Sequence, residues 1–452
     1  MRELIETVSS LVWGMPTVFL LLGTGVYLLC RLGGLFFRVL RLVPSVLRGR
    51  KGEGGAPFEV FSTVLAGTVG TGNIVGVAAA VLTGGPGAVF WMWVSAFLGM
   101  VTNFSEVVLG QRYRRKNTDG TFTGGAFVTI ADGLHAKKLG LFTAFVTVLA
   151  SFGMSGAQVS QITGTLWETG GSTVTTNPLF FRLAAGGSLA VFVGYFLFGH
   201  KNRVGRVTAK LLPAMSLLFL VLAFAALFRR AGRIPEAFGL IFSSAFGRRA
   251  AVGGVGGYTL STVMSRGLAR GVFSNEAGLG SSVIAHTDSS LSEPVEQGAW
   301  GVFAVFCDTV VICTLSALML LVTLPYPFPA GTDTSLAVRM FSDNFGVFGR
   351  LSFAVLLLLF GSGALITWSY YGRKAAAFCY KKSDRAFALL YILFLPLAAV
   401  FDTSFAWTLS DLCNGLMVLP NLLCLLLLGR QVKEITDNYF LRKRFSPNKK
   451  DR

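Results

Sequence analysis

The chain has 452 residues, of which 53% are hydrophobic and 14% are charged, whereas soluble domains carry about 25% charged residues. This composition excludes an ordinary soluble enzyme and a disordered protein, and it indicates a membrane protein with many helices. The net charge of +18 does not indicate nucleic-acid binding, because most Lys and Arg lie in short segments between apolar runs.

The apolar runs predict eleven membrane-spanning helices. Each run is close to the 20 or so residues that a span requires. The first run has no basic segment ahead of it, so we expect a retained helix rather than a cleaved signal peptide. The predicted spans are residues 11–37, 58–83, 86–111, 140–167, 183–199, 207–228, 258–285, 298–324, 347–371, 385–401 and 404–429.

The basic residues between these spans predict the orientation. One alternating set of segments holds 28 Lys and Arg, including those of the tail 430–452, and the other set holds 8. Because basic loops stay in the cytoplasm, we expect an inner-membrane protein with its C-terminus inside and its N-terminus outside. Segment 229–257 holds five of those eight, and its apolar residues recur at helical spacing, which predicts an amphipathic helix on the outer surface.

Two predicted spans contain runs that a continuous membrane helix avoids. The second span contains Gly67–Asn73, with three glycines and three polar side chains, and the seventh contains Gly271–Ser281, with a buried Asn and Glu. Irregular backbone at membrane depth is tolerated where it lines a cavity. Close packing with buried polar residues is the alternative, but two such runs in matching spans favour broken helices at a transport site.

The two runs lie five spans apart, so the halves are predicted to be inverted repeats. The helix N-termini freed at such breaks favour a carboxylate, and the freed carbonyls favour a cation, which suits an amino acid with a coupled cation. The predicted sections are residues 1–57 with the N-terminal helix, 58–228 as the first repeat, 229–257 outside, 258–429 as the second repeat, and 430–452 as a basic cytoplasmic tail.

Two motifs carry a family resemblance. Leu65–Glu106 and Gly267–Thr287 closely resemble the alanine or glycine:cation symporter family, the amino acid carrier proteins, and Phe306–Thr314, Trp368–Gly372 and Asp411–Leu422 resemble it more weakly. The resemblance implies an all-helical, leucine-transporter-like fold with one extra N-terminal helix before a ten-helix core. It also implies sodium-coupled uptake of small neutral amino acids, with no cofactor.

The resemblance also implies a substrate site at the two breaks. Trp368 would close the pocket, and either Gln158 or Gln161 would take the place of a family glutamine in the fourth span. The implied substrate-binding residues are Gly70, Thr71, Gly72, Asn73, Phe273, Ser274, Asn275 and Trp368, with Gln158 or Gln161.

The predicted sodium site departs from the family pattern. Sodium would lie near Thr68, Gly70, Ser362 and Thr367, but Gly363 and Ala364 replace a hydroxyl pair that the family usually has. Sodium needs oxygen ligands, so coupling to protons and facilitated transport by the same fold stay open. A membrane receptor that binds an amino acid without transporting it is a further alternative.

Three acidic residues within spans have competing interpretations. Glu276 and Asp308 could relay or gate a cation, or could pair with Arg270 or Arg266. Glu106 is expected to reach the membrane surface or to pair with Arg112. The sequence contains no HExxH, GxSxG or GxxxxGK[ST] motif, so neither an enzyme nor an ATP-driven pump is indicated.

Overall fold

The computed structural model describes residues 2–48, 56–118, 120–198, 203–246, 260–328 and 331–445. Parts of the predicted sections, including 247–257 and 446–452, lie outside the described residues. The helices of the first half are α1 (Arg2–Val12), α2 (Met15–Leu32), α3 (Gly34–Leu47), α4 (Ala56–Thr68), α5 (Val75–Gly84), α6 (Ala88–Tyr113), α7 (Ala126–Gly133), α8 (Lys137–Leu166), α9 (Ser172–Val174), α10 (Pro178–Leu197) and α11 (Arg203–Arg229). Those that follow are α12 (Ile234–Ala245), α13 (Leu260–Asn275), α14 (Val283–His286), α15 (Pro294–Val305), α16 (Thr314–Thr323), α17 (Asp333–Cys379), α18 (Asp384–Ala398) and α19 (Thr403–Phe445).

Shorter elements complete the described chain. Strands β1 (Arg115–Lys116) and β2 (Phe122–Thr123) pair antiparallel. Two 3-10 turns cover Thr71–Asn73 and Ala231–Arg233, and two π-helical runs cover Trp167–Gly171 and Phe306–Cys313. The second π-helical run joins α15 to α16 in one apolar helix, Pro294–Thr323.

Of the described helices, seven are long and apolar enough to cross a membrane, and the bent pair α2–α3 adds an eighth. The remaining predicted spans correspond to the broken pairs α4–α5 and α13–α14 and to the 15-residue helix α18. The structure therefore has helices at every predicted span, while the count of eleven membrane crossings stays a prediction.

The predicted first span is wrong at its C-terminal end. The helix ends at Leu32 and turns by 89° into α3, because Gly33 adopts a φ of +52° that is costly for residues with a Cβ. The sequence around the turn stays apolar, since α3 buries Leu35, Phe36 and Val39. Hydropathy alone therefore could not locate the turn.

Both predicted helix breaks are confirmed. The first lies between α4 and α5, where Thr71–Asn73 forms a 3-10 turn. The second follows Asn275, where Glu276, Gly278 and Gly280 have φ values of +56°, +93° and +73°. A left-handed conformation is unusual for Glu, so the surrounding contacts must hold this backbone in place.

Long helices pack around the two breaks. Helix α8 packs against α17 and α19, while α6 packs against α13 and α15. Helices α4 and α17 approach closely, since a Cβ added at Gly363 would lie 3.2 Å from the Ala66 carbonyl oxygen. The breaks are therefore enclosed by helices from both halves of the chain.

The predicted amphipathic segment forms a helix, α12, over Ile234–Ala245. It packs on α6 and α16, and the Trp91 indole donates to the Ala245 carbonyl at 3.1 Å. Arg233 donates to Val322 O near the end of α16 at 2.8 Å, and Arg229 donates to Asn344 O at 2.9 Å. These arginines bond to a carbonyl near the end of α16 and to one just before the kink at Gly346 within α17, which gives a reason for the basic residues in this segment.

Candidate functional site

Asn73 joins the first break to the second. Its side-chain oxygen accepts a hydrogen bond from the Gly70 N–H at 3.1 Å, which fixes the 3-10 turn. Its amide nitrogen donates to Ser274 Oγ at 3.1 Å and to Asp308 Oδ1 at 2.7 Å. Two predicted site residues, Asn73 and Ser274, are therefore brought together at one carboxylate.

That carboxylate belongs to Asp308, which is fully buried. Its Oδ2 accepts hydrogen bonds from Ser274 Oγ at 2.5 Å and Thr309 Oγ1 at 2.9 Å, and Asn275 Nδ2 donates to Thr309 Oγ1 at 3.1 Å. Asp308 lies in the π-helical run, and π-helical segments frequently occur at functional sites. We call Asn73, Ser274, Asp308 and Thr309 the carboxylate cluster.

The predicted pairing of Asp308 and Glu276 with arginine is wrong. Asp308 is bonded to neutral side chains, and Glu276 accepts from Ser281 Oγ at 2.5 Å. Instead, the Arg270 guanidinium lies over the rings of Phe273 and Trp407, at 4.8 and 4.9 Å from their centroids. The carboxylate cluster therefore has no basic partner among the described side chains.

The two candidate glutamines take different positions. Gln158 Oε1 accepts from both the N–H and the hydroxyl of Thr71, at 3.0 and 2.8 Å. Gln161 donates to Thr334 Oγ1 at 2.9 Å and accepts from the Trp407 indole at 3.3 Å. Gln158 therefore contacts the first break directly, while Gln161 supports Trp407.

Gly72 faces an aromatic wall formed by Phe273, a predicted site residue, and by Trp407, which the sequence did not indicate. A Cβ added there would lie 3.6 Å from Phe273, 3.8 Å from Trp407 and 3.5 Å from Arg270. The Phe273 and Trp407 rings pack edge to face at 5.2 Å. The sequence did not predict Trp407 as a site residue, because a lone Trp in an apolar helix is usually a packing residue.

Trp368, which the resemblance implies closes the pocket, lies beside Glu276 in the second break. It is fully buried and its ring packs against Tyr371 at 5.5 Å, beside Glu276. Among the described residues, the Tyr371 hydroxyl has no hydrogen-bond partner. The aromatic ring that contacts Phe273 is Trp407, as described above.

The residues of the predicted sodium site separate into two groups. Thr367 Oγ1 donates to the Thr63 carbonyl at 3.1 Å, on the α17 side of α4. Thr68 Oγ1 donates to Leu65 O at 3.3 Å and lies next to Asp308. Gly363 and Ala364 are buried against this interface, and Ser362 is half-buried.

The sequence predicted that Glu106 reaches the membrane surface or pairs with Arg112, and this prediction is wrong. It is buried, and its Oε1 accepts from the Gly278 N–H at 3.0 Å and from Asn421 Nδ2 at 2.5 Å. Asn421 also donates to the Gly278 carbonyl at 2.9 Å. Glu106 therefore holds the irregular backbone of the second break, which explains how its left-handed residues are tolerated.

A polar network ties the chain after α14 to α17. Asp288 accepts from Lys374 Nζ at 3.1 Å and from the Tyr370 hydroxyl. Arg114 donates to the carbonyls of Thr287, Ser289 and Leu291 at 2.6 to 3.0 Å. This network closes the bundle at the end that carries β1 and β2.

Two broken helices that meet at a buried carboxylate, within a bundle of apolar helices, define a secondary membrane transporter. The chain belongs to the sodium:alanine symporter family, whose model matches residues 1–451. That family consists of cation-coupled amino-acid symporters.

Several curated relatives are similar over nearly the whole chain. The sodium/alanine symporter AgcS of Methanococcus maripaludis is 36% identical over 94% of this chain and 94% of its own length. An uncharacterized transporter of Haemophilus influenzae is 34% identical over 98% and 96%, and the probable sodium/glutamine symporter GlnT of Bacillus subtilis is 33% identical over 98% and 92%. Among solved structures, a manganese transporter of Eremococcus coleocola is 13% identical over 85% of this chain and 75% of that one, with a TM-score of 0.44.

Proposed function

We propose that this protein imports a small neutral amino acid, alanine or glycine, together with sodium, by alternating access around the two helix breaks. The observation that carries the proposal is the carboxylate cluster, which joins both breaks at one buried carboxyl group. The proposed setting is the inner membrane, with the N-terminus outside and the C-terminus in the cytoplasm, as the distribution of basic residues predicts.

The carboxylate cluster has the chemistry of a cation site. Asp308 supplies a negative charge, and Ser274 and Thr309 supply neutral oxygens within 2.9 Å of it. Hard cations prefer such oxygen ligands, and hydroxyl hydrogens rotate to suit their partners. We therefore place the coupling sodium at Asp308, with Thr68 at its edge, rather than between Ser362 and Thr367.

The amino acid is proposed to bind between the breaks. Its carboxylate would lie against the backbone of Gly70, Thr71 and Gly72, close to the start of α5, where the helix dipole favours a negative charge. Its ammonium would face the carbonyls at the end of α13, near Phe273 and Ser274. Gln158 would hold the first break in the binding geometry through its two bonds to Thr71.

Small substrates are favoured by the aromatic wall. Phe273 and Trp407 pack on each other beside Gly72, with the Arg270 guanidinium over both rings. We propose that these rings limit the size of the substrate side chain, since steric filtering is how a small pocket selects its ligand. Alanine and glycine fit this restriction. Glutamine, which the name of one relative gives as its substrate, needs more space beside these rings.

The test is uptake of labelled alanine and glycine into proteoliposomes, with an inward sodium gradient or with choline in place of sodium. We expect accumulation that depends on sodium. Asp308→Asn should raise the sodium concentration for half-maximal uptake tenfold or more, while Asp343→Asn, which changes an exposed aspartate, should leave it unchanged. Uptake that is equal in choline would contradict sodium coupling.

Proton coupling or facilitated transport is the second candidate. It is favoured by Gly363 and Ala364, which leave two hydroxyl groups fewer at the α4–α17 interface. Uptake that follows a pH gradient, or that only equilibrates, would support this alternative. Binding of alanine without any flux would instead indicate a receptor.

A further inference from the structure

A cavity of about 310 Å³ lies beside the aromatic wall and is distinct from the carboxylate cluster. Its sides are formed by α5, α13 and α19, with Trp13 and the start of α17. It shares Phe273, Arg270 and Trp407 with the aromatic wall. Ligand pockets are commonly about 300–1,000 Å³, so the volume suits a small molecule.

Charges of both signs line this cavity. Arg266 and Arg270 lie one turn apart on α13, and Asp411 and Asp333 face them from α19 and from the start of α17. Opposite charges this close normally form ion pairs. In the part of the chain that the structure describes, no ion pair of 4 Å or less joins these arginines to these aspartates. The cavity therefore presents separate positive and negative groups to a ligand.

Arg270 forms the floor of the cavity towards the first break. Its guanidinium is stacked on two rings, and a Cβ added at Gly76 would overlap it. Its Nε has no hydrogen-bond partner among the described residues. A guanidinium fixed by stacking and left with free donors is well suited to bind a carboxylate.

We propose that this cavity is a second binding site for a zwitterionic amino acid, in which Arg266 and Arg270 bind the carboxylate and Asp411 binds the ammonium. Asp333 adds negative charge on the same side. The inference deepens the proposed function and rests on it, because the bound amino acid would pass under Arg270 to the helix breaks. The second site accepts larger side chains than the space between the breaks does, since its volume is about 310 Å³.

The experiment is equilibrium binding of labelled alanine to the purified full chain in detergent with sodium. We expect two alanine molecules per wild-type chain. Asp411→Asn and Arg266→Gln should each weaken the second site tenfold or more and leave about one molecule per chain at the same alanine concentration. Arg339→Gln and Asp343→Asn make the same charge changes at exposed positions on α17 and should retain two.

Competition identifies the ligand class. Unlabelled leucine should displace one of the two alanine molecules, because only the cavity accepts its side chain. Propionate and ethylammonium each carry one of the two charges and should compete at least tenfold less well than alanine. Displacement by propionate as strong as that by alanine would identify a simple anion site and overturn the proposal.

The outcomes separate this inference from the proposed function. One alanine per wild-type chain, with sodium-driven uptake and no effect of Asp411→Asn or Arg266→Gln, would overturn the second site alone. No alanine binding and no uptake would overturn both. The two variants change different helices, so if one fails to fold the other still decides the question.

Discussion

The side-chain oxygen of Gln158 accepts two hydrogen bonds from Thr71, one from its N–H at 3.0 Å and one from its hydroxyl at 2.8 Å. These residues are 87 positions apart, so α8 stabilises the first helix break through a single amide group. Gly70 permits this contact, because a Cβ there would lie 2.7 Å from Gln158 Nε2.

We therefore expect Gly70→Ala to displace the Gln158 amide and to lower alanine uptake at least tenfold. The backbone of Gly70 has a φ of −114°, which alanine adopts easily, so the effect is one of space. Gly23→Ala is the matched control, because a Cβ at Gly23 meets nothing within 4 Å. Uptake into proteoliposomes measures both, and equal activity of the two variants would contradict a positioning role for Gln158.

A second prediction concerns the carboxylate that holds the second break. Glu106→Ala leaves the Gly278 N–H and the Asn421 amide without their acceptor, and each unsatisfied buried group costs about 1–3 kcal/mol. Glu106→Gln retains an oxygen at the same place and should be milder. We expect thermal unfolding in detergent to rank the proteins as wild type, then Glu106→Gln, then Glu106→Ala.

The control for this series is Glu434→Ala, which removes an exposed pair with Arg430. Such pairs contribute about 0–1 kcal/mol, so its unfolding temperature should stay close to that of the wild type. A similar loss of stability in Glu434→Ala and Glu106→Ala would show that Glu106 has no special part in the break.

A third prediction concerns the network that closes one end of the bundle. Lys374→Met removes the bonds from Lys374 to Asp288 at 3.1 Å and to the Phe122 carbonyl at 2.7 Å. We expect faster hydrogen exchange of backbone amides in residues 283–291, because the segment then loses its bond to Lys374 and keeps those to Arg114, Tyr370 and Gln111. Lys381→Met, at an exposed position, should leave exchange unchanged, and equal exchange in both would contradict the closing role.

A fourth prediction tests selection by size. Trp407→Ala removes the ring that packs on Phe273 beside Gly72, so larger amino acids should gain access to the breaks. We expect uptake of leucine relative to alanine to rise about tenfold. Trp167→Ala is the control, since the Trp167 ring packs on Phe181 rather than on Phe273, and a similar change in that variant would contradict selection by Trp407.

The sequence predicted the breaks well, because glycine and polar residues within an apolar run have few explanations in a membrane. The family resemblance placed Asn73 and Ser274 in one site, and both lie within such runs. The same logic did not reach Trp407 or the bonding of Glu106. Each of these side chains contacts residues more than a hundred positions away in the sequence. The sequence does not show which of its many possible neighbours an aromatic or acidic residue of a helix contacts.

The chain composition and its pattern of apolar runs determined that this is a helical membrane protein, and its two interrupted runs determined where helices break. These properties depend on local sequence and on the cost of unpaired backbone in lipid. The tertiary structure decided which side chains meet: Asp308 with Asn73 and Ser274, Gln158 with Thr71, and Arg270 with Trp407. Such contacts depend on how helices from the two halves pack, because the rotation of each helix about its axis is set by its neighbours.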